Sequence, residues 1–548
     1  MTDLLKKIFI NVARLALPYA LMQSMASCML EPSVDRDEDY AHVLPTRRLS
    51  KAEYVNSIKY IFNIGDTDIG PELKILLLSV PEDHVYKGFS NLKETLSANH
   101  LFGYMRVAHY ITDQLEKKGF FEDEFPCLKS TNQNWACIEE AVNILGFQIL
   151  RRPIETREVS KFLNVASPAS SNAEIVANAT QLMLQSPDFL YKISYVEEHS
   201  TKKSLFLLDS YSFASNFSYF LQGLPPDRTL LQDVRDGQFS LDNRSHHFER
   251  IWESKHAQSH WNRFFIEWLE LESFPALAYS EEIEIDLKNL QEVSTLELQN
   301  MSKTIFMKNG SIHDLFLSKQ EFYEHPLLRE IYKQEGKFLR NRPGVFTRAR
   351  MLATGNDRDI SRPIKRAALI VDKALCLDLG RPDPNNLPND ALKIPEVDET
   401  TTTRNKWEEK TSDSSCQKCH SILNPIGFTF ENYDGAGQFV DNEIIFDRRP
   451  KKVNILPIDS FVEFTYQETS YVADKPEDIF TIFLERGMIQ TCLAKQIISY
   501  GKKIDNPSNL EVHYLASLFD TMSIKEAIKK YLISDSFRTV EGEVYGIK

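Results

Sequence analysis

Residues 414–439 read SSCQKCHSILNPIGFTFENYDGAGQF and contain the most specific chemical pattern in the chain. Two cysteines, Cys416 and Cys419, stand three positions apart, and His420 directly follows the second one. A Cys-x-x-Cys-His run is compatible with a covalent haem tether, a zinc site, a redox dithiol, a structural disulfide or a chance arrangement. Each alternative requires different neighbours, so the surrounding sequence helps to separate them.

Covalent haem attachment requires only the residues that this pattern contains. Two thiols one helical turn apart can form thioethers with the haem vinyl groups, and the adjacent imidazole then lies beneath the iron. A zinc site needs four ligands and a thioredoxin-like dithiol needs a βα context, and the neighbouring sequence supplies neither. We therefore predict one covalent haem c, with Cys416 and Cys419 as thioether residues and His420 as proximal iron ligand. The distal ligand is not indicated.

The N-terminus is typical of a secretory signal. Lys6 and Lys7 precede an apolar run, interrupted by Arg14, that ends in small residues before Cys28. Met-Ala-Ser-Cys at 25–28 resembles a bacterial lipobox, which predicts lipidation of Cys28 and removal of residues 1–27. Ordinary signal cleavage after Ala26 and an amphipathic helix that is retained are the alternatives. We expect export to the periplasm or cell surface. The N-terminal lipid should then anchor the protein to the outer membrane.

The composition indicates a globular protein of several domains. The chain has 548 residues, of which 42% are hydrophobic and 26% charged. A net charge of −14 without basic runs argues against a nucleic-acid partner. Beyond the N-terminus, no apolar run approaches the length of a membrane-spanning helix.

The seven cysteines suggest two disulfides, because such bonds persist outside the cytosol. Lipid and haem account for three of the seven, which leaves four. Cys127 and Cys137 flank a short polar segment, so we pair them, and Cys376 is left with Cys492. Each pair should then have a Cα separation of about 4.4–6.8 Å. Four buried free thiols are the alternative.

Helix signals dominate the chain. Ser50 and Glu53 have capping-box spacing, Asp209 is a candidate N-cap whose helix should end at Gly223, and Ser523 begins a further capping pattern. Alternation at 438–447 and 453–459 predicts a small hairpin after the motif. The expected fold is mainly α, consisting of successive helical modules with a C-terminal haem c-type module and a small β-hairpin.

The motif region resembles a large bacterial family of exported proteins built of consecutive domains of unknown function (1587/1595/1592/1588/1585 type), with a cytochrome c-type haem site in the C-terminal half. The matching residues are Cys416, Cys419, His420, Pro425, Gly427, Phe428, Glu431, Tyr433, Asp434 and Gly437. Segments at 47–58, 149–159, 186–193, 208–227 and 491–503 are similar to other modules and the segment at 343–367 to the start of the haem module, in the same order. The resemblance implies an exported, redox-active monohaem protein. Relatives often carry His-Arg where this chain has Lys410-Thr411.

The predicted modules follow the order of these segments. They are a lipoprotein-type signal peptide at 1–27, an N-terminal helical module at 28–125, a second helical module with the Arg-Arg-Pro turn at 126–200, a third helical module at 201–335, the haem c module at 336–440, and a hairpin with a C-terminal helical module at 441–548.

Two groups of charged residues near the motif have competing interpretations. Arg362, Lys365 and Arg366 are candidates for contacts with haem propionates, because guanidinium binds carboxylate well, and a solvated charged face is the alternative. Glu431 and Asp434 resemble a catalytic carboxylate pair, but their spacing also fits one face of a short helix or the bonding of a loop. We favour the structural interpretation for this second pair.

Three functions are compatible with these patterns. The first is an exported, lipid-anchored, monohaem c-type cytochrome-like protein in electron transfer or an uncharacterised oxidoreduction. The second is a cell-envelope binding or scaffold protein in which haem is structural, and the third is a haem peroxidase-like enzyme. A reversible redox titration separates the first from the second, and a low-spin spectrum unchanged by cyanide would count against the third. The sequence indicates neither a redox partner nor a small-molecule substrate.

Overall fold

The fold was obtained as a computed structural model. It describes residues 47–65, 70–86, 89–91, 96–164, 170–198, 205–272, 287–334, 337–353, 362–380, 400–434, 437–448 and 451–541. The predicted signal peptide and Cys28 lie outside the described residues, so their roles stay predictions.

The described chain is mainly helical, which confirms the predicted fold class. The helices are α1 Lys51–Ile61, α2 Pro71–Leu78, α3 Ala98–Lys117, α4 Phe120–Glu124, α5 Trp135–Ile149, α6 Thr156–Leu163, α7 Asn172–Met183, α8 Pro187–Leu190, α9 Ser210–Gln222, α10 Arg228–Arg235, α11 Leu241–Trp252, α12 Lys255–Trp268, α13 Leu287–Met301, α14 Ile312–Leu317, α15 Pro326–Tyr332, α16 Ala349–Ala353, α17 Pro363–Lys373, α18 Thr403–Lys410, α19 Ser414–Phe428, α20 Pro476–Glu485, α21 Met488–Lys502, α22 Asn509–Leu518, α23 Ile524–Ile533 and α24 Asp535–Arg538. Short 3₁₀ turns at Pro126–Lys129 and Val345–Thr347 and a π-helical turn at Ser302–Phe306 complete the helical structure.

The strands are short and antiparallel where their pairing is described. They are β1 Arg47–Arg48, β2 His84–Tyr86, β3 Phe89–Asn91, β4 Tyr191–Lys192, β5 Val196–Glu198, β6 Leu205–Leu208, β7 Asn442–Arg448, β8 Lys451–Pro457, β9 Val462–Tyr466, β10 Thr469–Ala473 and β11 Thr539–Glu541. β1 pairs with β4, and β6 lies between β5 and β11. β7 and β8 form the hairpin that the alternation predicted, and β9 with β10 forms a second hairpin that it did not predict.

Helix starts follow the expected capping chemistry. The Ser50 side chain accepts a hydrogen bond from the Glu53 N–H, and the Glu53 carboxylate accepts one from the Ser50 N–H, which confirms the capping box of α1. Asp209 caps α9, and Gly223 ends that helix in the left-handed conformation, where glycine has no steric penalty. Ser523 likewise caps α23. Local side-chain chemistry therefore determines where these helices begin.

The described residues divide into two compact units. The first lies within Met1–His84, Ser90–His247 and Phe537–Lys548, and the second lies within Val85–Phe89 and Phe248–Ser536. Each unit is larger than the modules expected from the sequence, so the module boundaries stay a prediction. The Cys-x-x-Cys-His motif belongs to the second unit.

Aromatic packing forms part of the core of the second unit. Trp261, Phe264, Trp268, Phe306 and Tyr500 are at most 1% exposed. The Phe264 ring stacks on Trp268 at 5.5 Å between centroids, and Trp261 lies 5.1 Å from Phe306. Aromatic pairs at such separations add to the stabilisation from buried area alone.

Both predicted disulfides are formed. Cys127 and Cys137, in the first unit, have a Cα separation of 6.1 Å. Cys376 and Cys492, in the second unit, have a Cα separation of 5.3 Å. Both values lie within the predicted range. In the part of the chain that the structure describes, no helix has the length and apolar character needed to cross a membrane.

Candidate functional site

Helix α19 carries the two motif cysteines and the histidine on its first two turns. Asp413 caps this helix, because its carboxylate accepts hydrogen bonds from the Ser415 hydroxyl at 2.6 Å and the Ser415 N–H at 2.8 Å. These bonds lower the pKa of Asp413. A carboxylate at this position also complements the positive end of the helix dipole. The cap therefore fixes where the motif enters the helix.

The two motif thiols are free and half-buried. Cys416 and Cys419 are separated by one helical turn, and the disulfides use the four other cysteines described. The Cys419 Sγ lies 3.6 Å from the Leu379 carbonyl oxygen. Two free, half-buried thiols one helical turn apart are what attachment of haem through two thioethers requires.

His420 is held by one ring nitrogen. Its Nδ1 lies 2.8 Å from the Asn424 Oδ1, one turn further along α19. Asn424 in turn donates through its Nδ2 to the Thr411 Oγ1 at 2.8 Å. Within the described residues Nε2 makes no hydrogen bond. A half-buried imidazole with one nitrogen fixed and the other available is suited to binding a metal.

Among the described residues no group of three or more His, Cys, Asp and Glu side chains is arranged to hold a metal ion. A structural zinc site needs four such ligands. The residues present at α19 fit a haem, in which the porphyrin itself supplies four of the iron ligands and the protein needs to add only an axial one.

Close packing against α17 positions the motif helix. A Cβ built on Gly427 would lie 2.5 Å from the Pro363 carbonyl oxygen, so only glycine allows this approach of the two backbones. Pro425 lies inside α19 and has no N–H to donate to the preceding turn. Gly427 therefore serves the close packing of α19 against α17.

Arg366 supports the loop that follows α19. Its guanidinium donates to the carbonyl oxygens of Phe430 at 3.2 Å, Tyr433 at 2.7 Å and Asp434 at 2.7 Å. Burial lowers the pKa of Arg366 to about 10, and the carboxylates of Glu431 and Asp434 act in the opposite direction. Its two terminal nitrogens are therefore directed at main-chain carbonyls of the loop, and the propionate contact expected for Arg366 stays a prediction.

The other two basic residues keep their predicted role as an untested expectation. Arg362 is the half-buried residue before the first turn of α17, and Lys365 is exposed on that turn. Both side chains reach the surface of the second unit, where a propionate contact stays a prediction.

Asp434 bonds the loop, as we favoured from the sequence. Its Oδ1 accepts from the Gln438 N–H at 2.8 Å, and its N–H donates to the Gln438 carbonyl at 3.0 Å. Gly437 completes this turn with φ of +80°, which a residue with a side chain rarely adopts. The helical-face part of the expectation is wrong, because α19 ends at Phe428 and Glu431 lies in the turn beyond it.

The disulfide Cys376–Cys492 joins the end of α17 to α21 within the second unit. The Cys492 Sγ also lies 3.5 Å from the Lys373 carbonyl oxygen. The predicted pairing is therefore confirmed. The further expectation that these two helices wall the haem from water stays a prediction.

Sequence reasoning missed Asn424 and Thr411 as site residues. Asn424 follows His420 by four positions, the spacing at which helical side chains meet, so this residue had a signal. Thr411 lies 13 positions before Asn424 on a different helix end, and nothing local points to it.

Comparisons with known proteins match two parts of the chain. Residues 342–443, which include the Cys-x-x-Cys-His motif, match the family described as PSCyt3: Protein of unknown function (DUF1588). Residues 208–333 match the family described as PSD4: Protein of unknown function (DUF1592). No curated protein and no solved structure matches the chain. Two of the five expected domain types are thus confirmed in the expected order, and the PSCyt3 match suggests a cytochrome-like domain.

Proposed function

We propose that this protein is an exported, lipid-anchored monohaem c-type cytochrome-like protein that transfers electrons. One observation carries the proposal: two free thiols stand one turn apart on α19, followed by a histidine whose Nδ1 is fixed by Asn424. The match of residues 342–443 to PSCyt3 supports it.

Cys416 and Cys419 would hold the haem through thioethers, and the Nε2 of His420 would bind its iron. The group supplies a centre that changes its oxidation state by one electron. The Asp413 cap orients the start of α19, and the hydrogen bond from His420 to Asn424 orients the imidazole ring. Because all three motif residues are half-buried, a partner could approach the cofactor from the protein surface.

Export is proposed because the chain forms two disulfides and because haem c is attached outside the cytosol. Disulfides of this kind persist in oxidising compartments. The lipid anchor at Cys28 rests on the sequence pattern at 25–28 alone. Incorporation of labelled fatty acid into the wild type and into Cys28→Ala tests the anchor separately from the haem.

A redox titration of the purified holoprotein, followed by its visible spectrum, tests the function. We expect reversible one-electron oxidation and reduction, with the protein folded in both states. A centre that resists reduction, and whose loss only unfolds the chain, would favour the scaffold function instead. Binding of cyanide with a peroxide-dependent turnover would favour the peroxidase-like function.

A further inference from the structure

We infer that Asn424 is a positioning residue for His420, and that Thr411 sets the direction of the hydrogen bonds between Asn424 and His420. With this direction, the Nε2 of His420 stays available to iron. The effect that we expect on the haem iron rests on the proposed function. The hydrogen bonds among Thr411, Asn424 and His420 concern this chain alone.

The Trp407 carbonyl oxygen can only accept hydrogen bonds, and this fixes the direction of the bonds that run from Thr411 through Asn424 to His420. The Thr411 hydroxyl donates to the Trp407 carbonyl oxygen at 2.6 Å, across one turn of α18. The lone pairs of the hydroxyl are then available to the Asn424 Nδ2, which donates at 2.8 Å. The Asn424 amide is therefore oriented with its nitrogen toward Thr411 and its oxygen toward His420.

An amide oxygen can only accept, so the proton between Asn424 and His420 belongs to the imidazole. His420 thus carries its hydrogen on Nδ1, and Nε2 presents a lone pair. The reverse orientation of the amide would require Thr411 to donate to Asn424 and to give up its bond to the Trp407 carbonyl. That arrangement makes one hydrogen bond fewer, which favours the first.

The hydrogen bonds from Thr411 through Asn424 to His420, which form a relay, start from a residue that is firmly held. Thr411 is only 3% exposed, and the Gln417 side chain donates to its carbonyl oxygen at 2.6 Å. The end of α18 is thereby tied to α19, while His420 and Asn424 lie four positions apart on α19 itself. A ring held in this way keeps its orientation before any iron arrives, as outer hydrogen bonds do for histidine ligands in general.

The amide is neutral, and this has an electronic consequence. A carboxylate at the same position would attract the Nδ1 hydrogen more strongly and make the ring a stronger donor to iron. Asn424 therefore favours the reduced iron relative to an aspartate, which suits electron transfer better than activation of peroxide.

The first experiment measures the midpoint potential of the holoprotein in four variants. We expect Asn424→Asp to lower the potential, and Asn424→Leu and Thr411→Val to shift it. Thr411→Ser keeps the hydroxyl and should keep the wild-type potential. A wild-type potential in both Asn424 variants would overturn the inference, whatever their stability.

The second experiment needs no haem. The full chain with Cys416→Ser and Cys419→Ser, labelled with ¹⁵N-histidine, reports the tautomer of His420 through long-range ¹⁵N–¹H correlations at a pH where imidazole is neutral. His420→Gln assigns the signal. A protonated Nδ1 supports the relay, and a protonated Nε2 overturns it. Failure of haem attachment would contradict the proposed function and leave this result standing, so the two failures are distinguishable.

Discussion

Arg366 shows how a basic residue next to the Cys-x-x-Cys-His motif can support the fold. It is 2% exposed, and its guanidinium donates to three main-chain carbonyls in the loop after α19. Lys365, its neighbour in sequence, is exposed. The two residues look alike in sequence, and only burial separates their roles.

Replacing Arg366 with leucine should destabilise even the haem-free protein. The substitution removes the guanidinium that donates to three main-chain carbonyl oxygens of this loop, so we expect the free energy of unfolding to fall by about 3 kcal/mol. Urea unfolding of the Cys416→Ser/Cys419→Ser background measures the loss, with Lys365→Leu as the matched control. Equal stability of the two variants would show that the guanidinium is not needed by the loop.

At the scale of elements, the hairpin of β9 and β10 shows where sequence reasoning fails. Its turn residues, Gln467 and Glu468, have φ of 47° and 64°. Two positive φ values are the signature of a tight turn that usually contains asparagine and glycine. Because this turn contains neither asparagine nor glycine, nothing in the sequence marks it.

The positive φ of Glu468, which is strained for a residue with a side chain, gives a prediction. Glu468→Gly should raise the free energy of unfolding by about 0.5–1 kcal/mol, because glycine adopts a positive φ without steric cost. Glu463→Gly, at an exposed position inside β9, should lower it by a similar amount. Thermal unfolding of both variants measures the difference, and two shifts of the same sign would refute the explanation.

The parts of the site that were predictable depend on local spacing. Cys416, Cys419 and His420 lie within five positions, and the caps at Ser50 and Asp209 depend on residues at most three positions away. The Thr411 hydrogen bond crosses from one helix to the next, and the role of Arg366 joins residues 64 to 68 positions apart. Such contacts depend on tertiary packing, which periodicity does not encode.

At the scale of the whole molecule, the described residues of each compact unit contain one disulfide. Cys127–Cys137 links residues only 10 positions apart, whereas Cys376–Cys492 spans 116 positions. Closing a longer loop removes more conformational entropy from the unfolded chain. The second bond should therefore contribute more to stability.

Paired alanine substitutions test this difference. In the chain-entropy description we expect a loss of about 5 kcal/mol for Cys376→Ala/Cys492→Ala and of about 3 kcal/mol for Cys127→Ala/Cys137→Ala. Calorimetric unfolding of both double variants and the wild type measures it. A larger loss for the short loop would contradict the entropic explanation.

The proposed function of the whole protein depends on a covalent haem at α19. The most direct measurement is the intact mass of the denatured protein, purified from an export-competent host that matures c-type cytochromes, beside the Cys416→Ala/Cys419→Ala variant. We predict that the wild type carries the additional mass of one haem, that neither motif thiol reacts with an alkylating reagent, and that the variant lacks the haem. A wild type without added mass, with both thiols alkylated, would contradict the account.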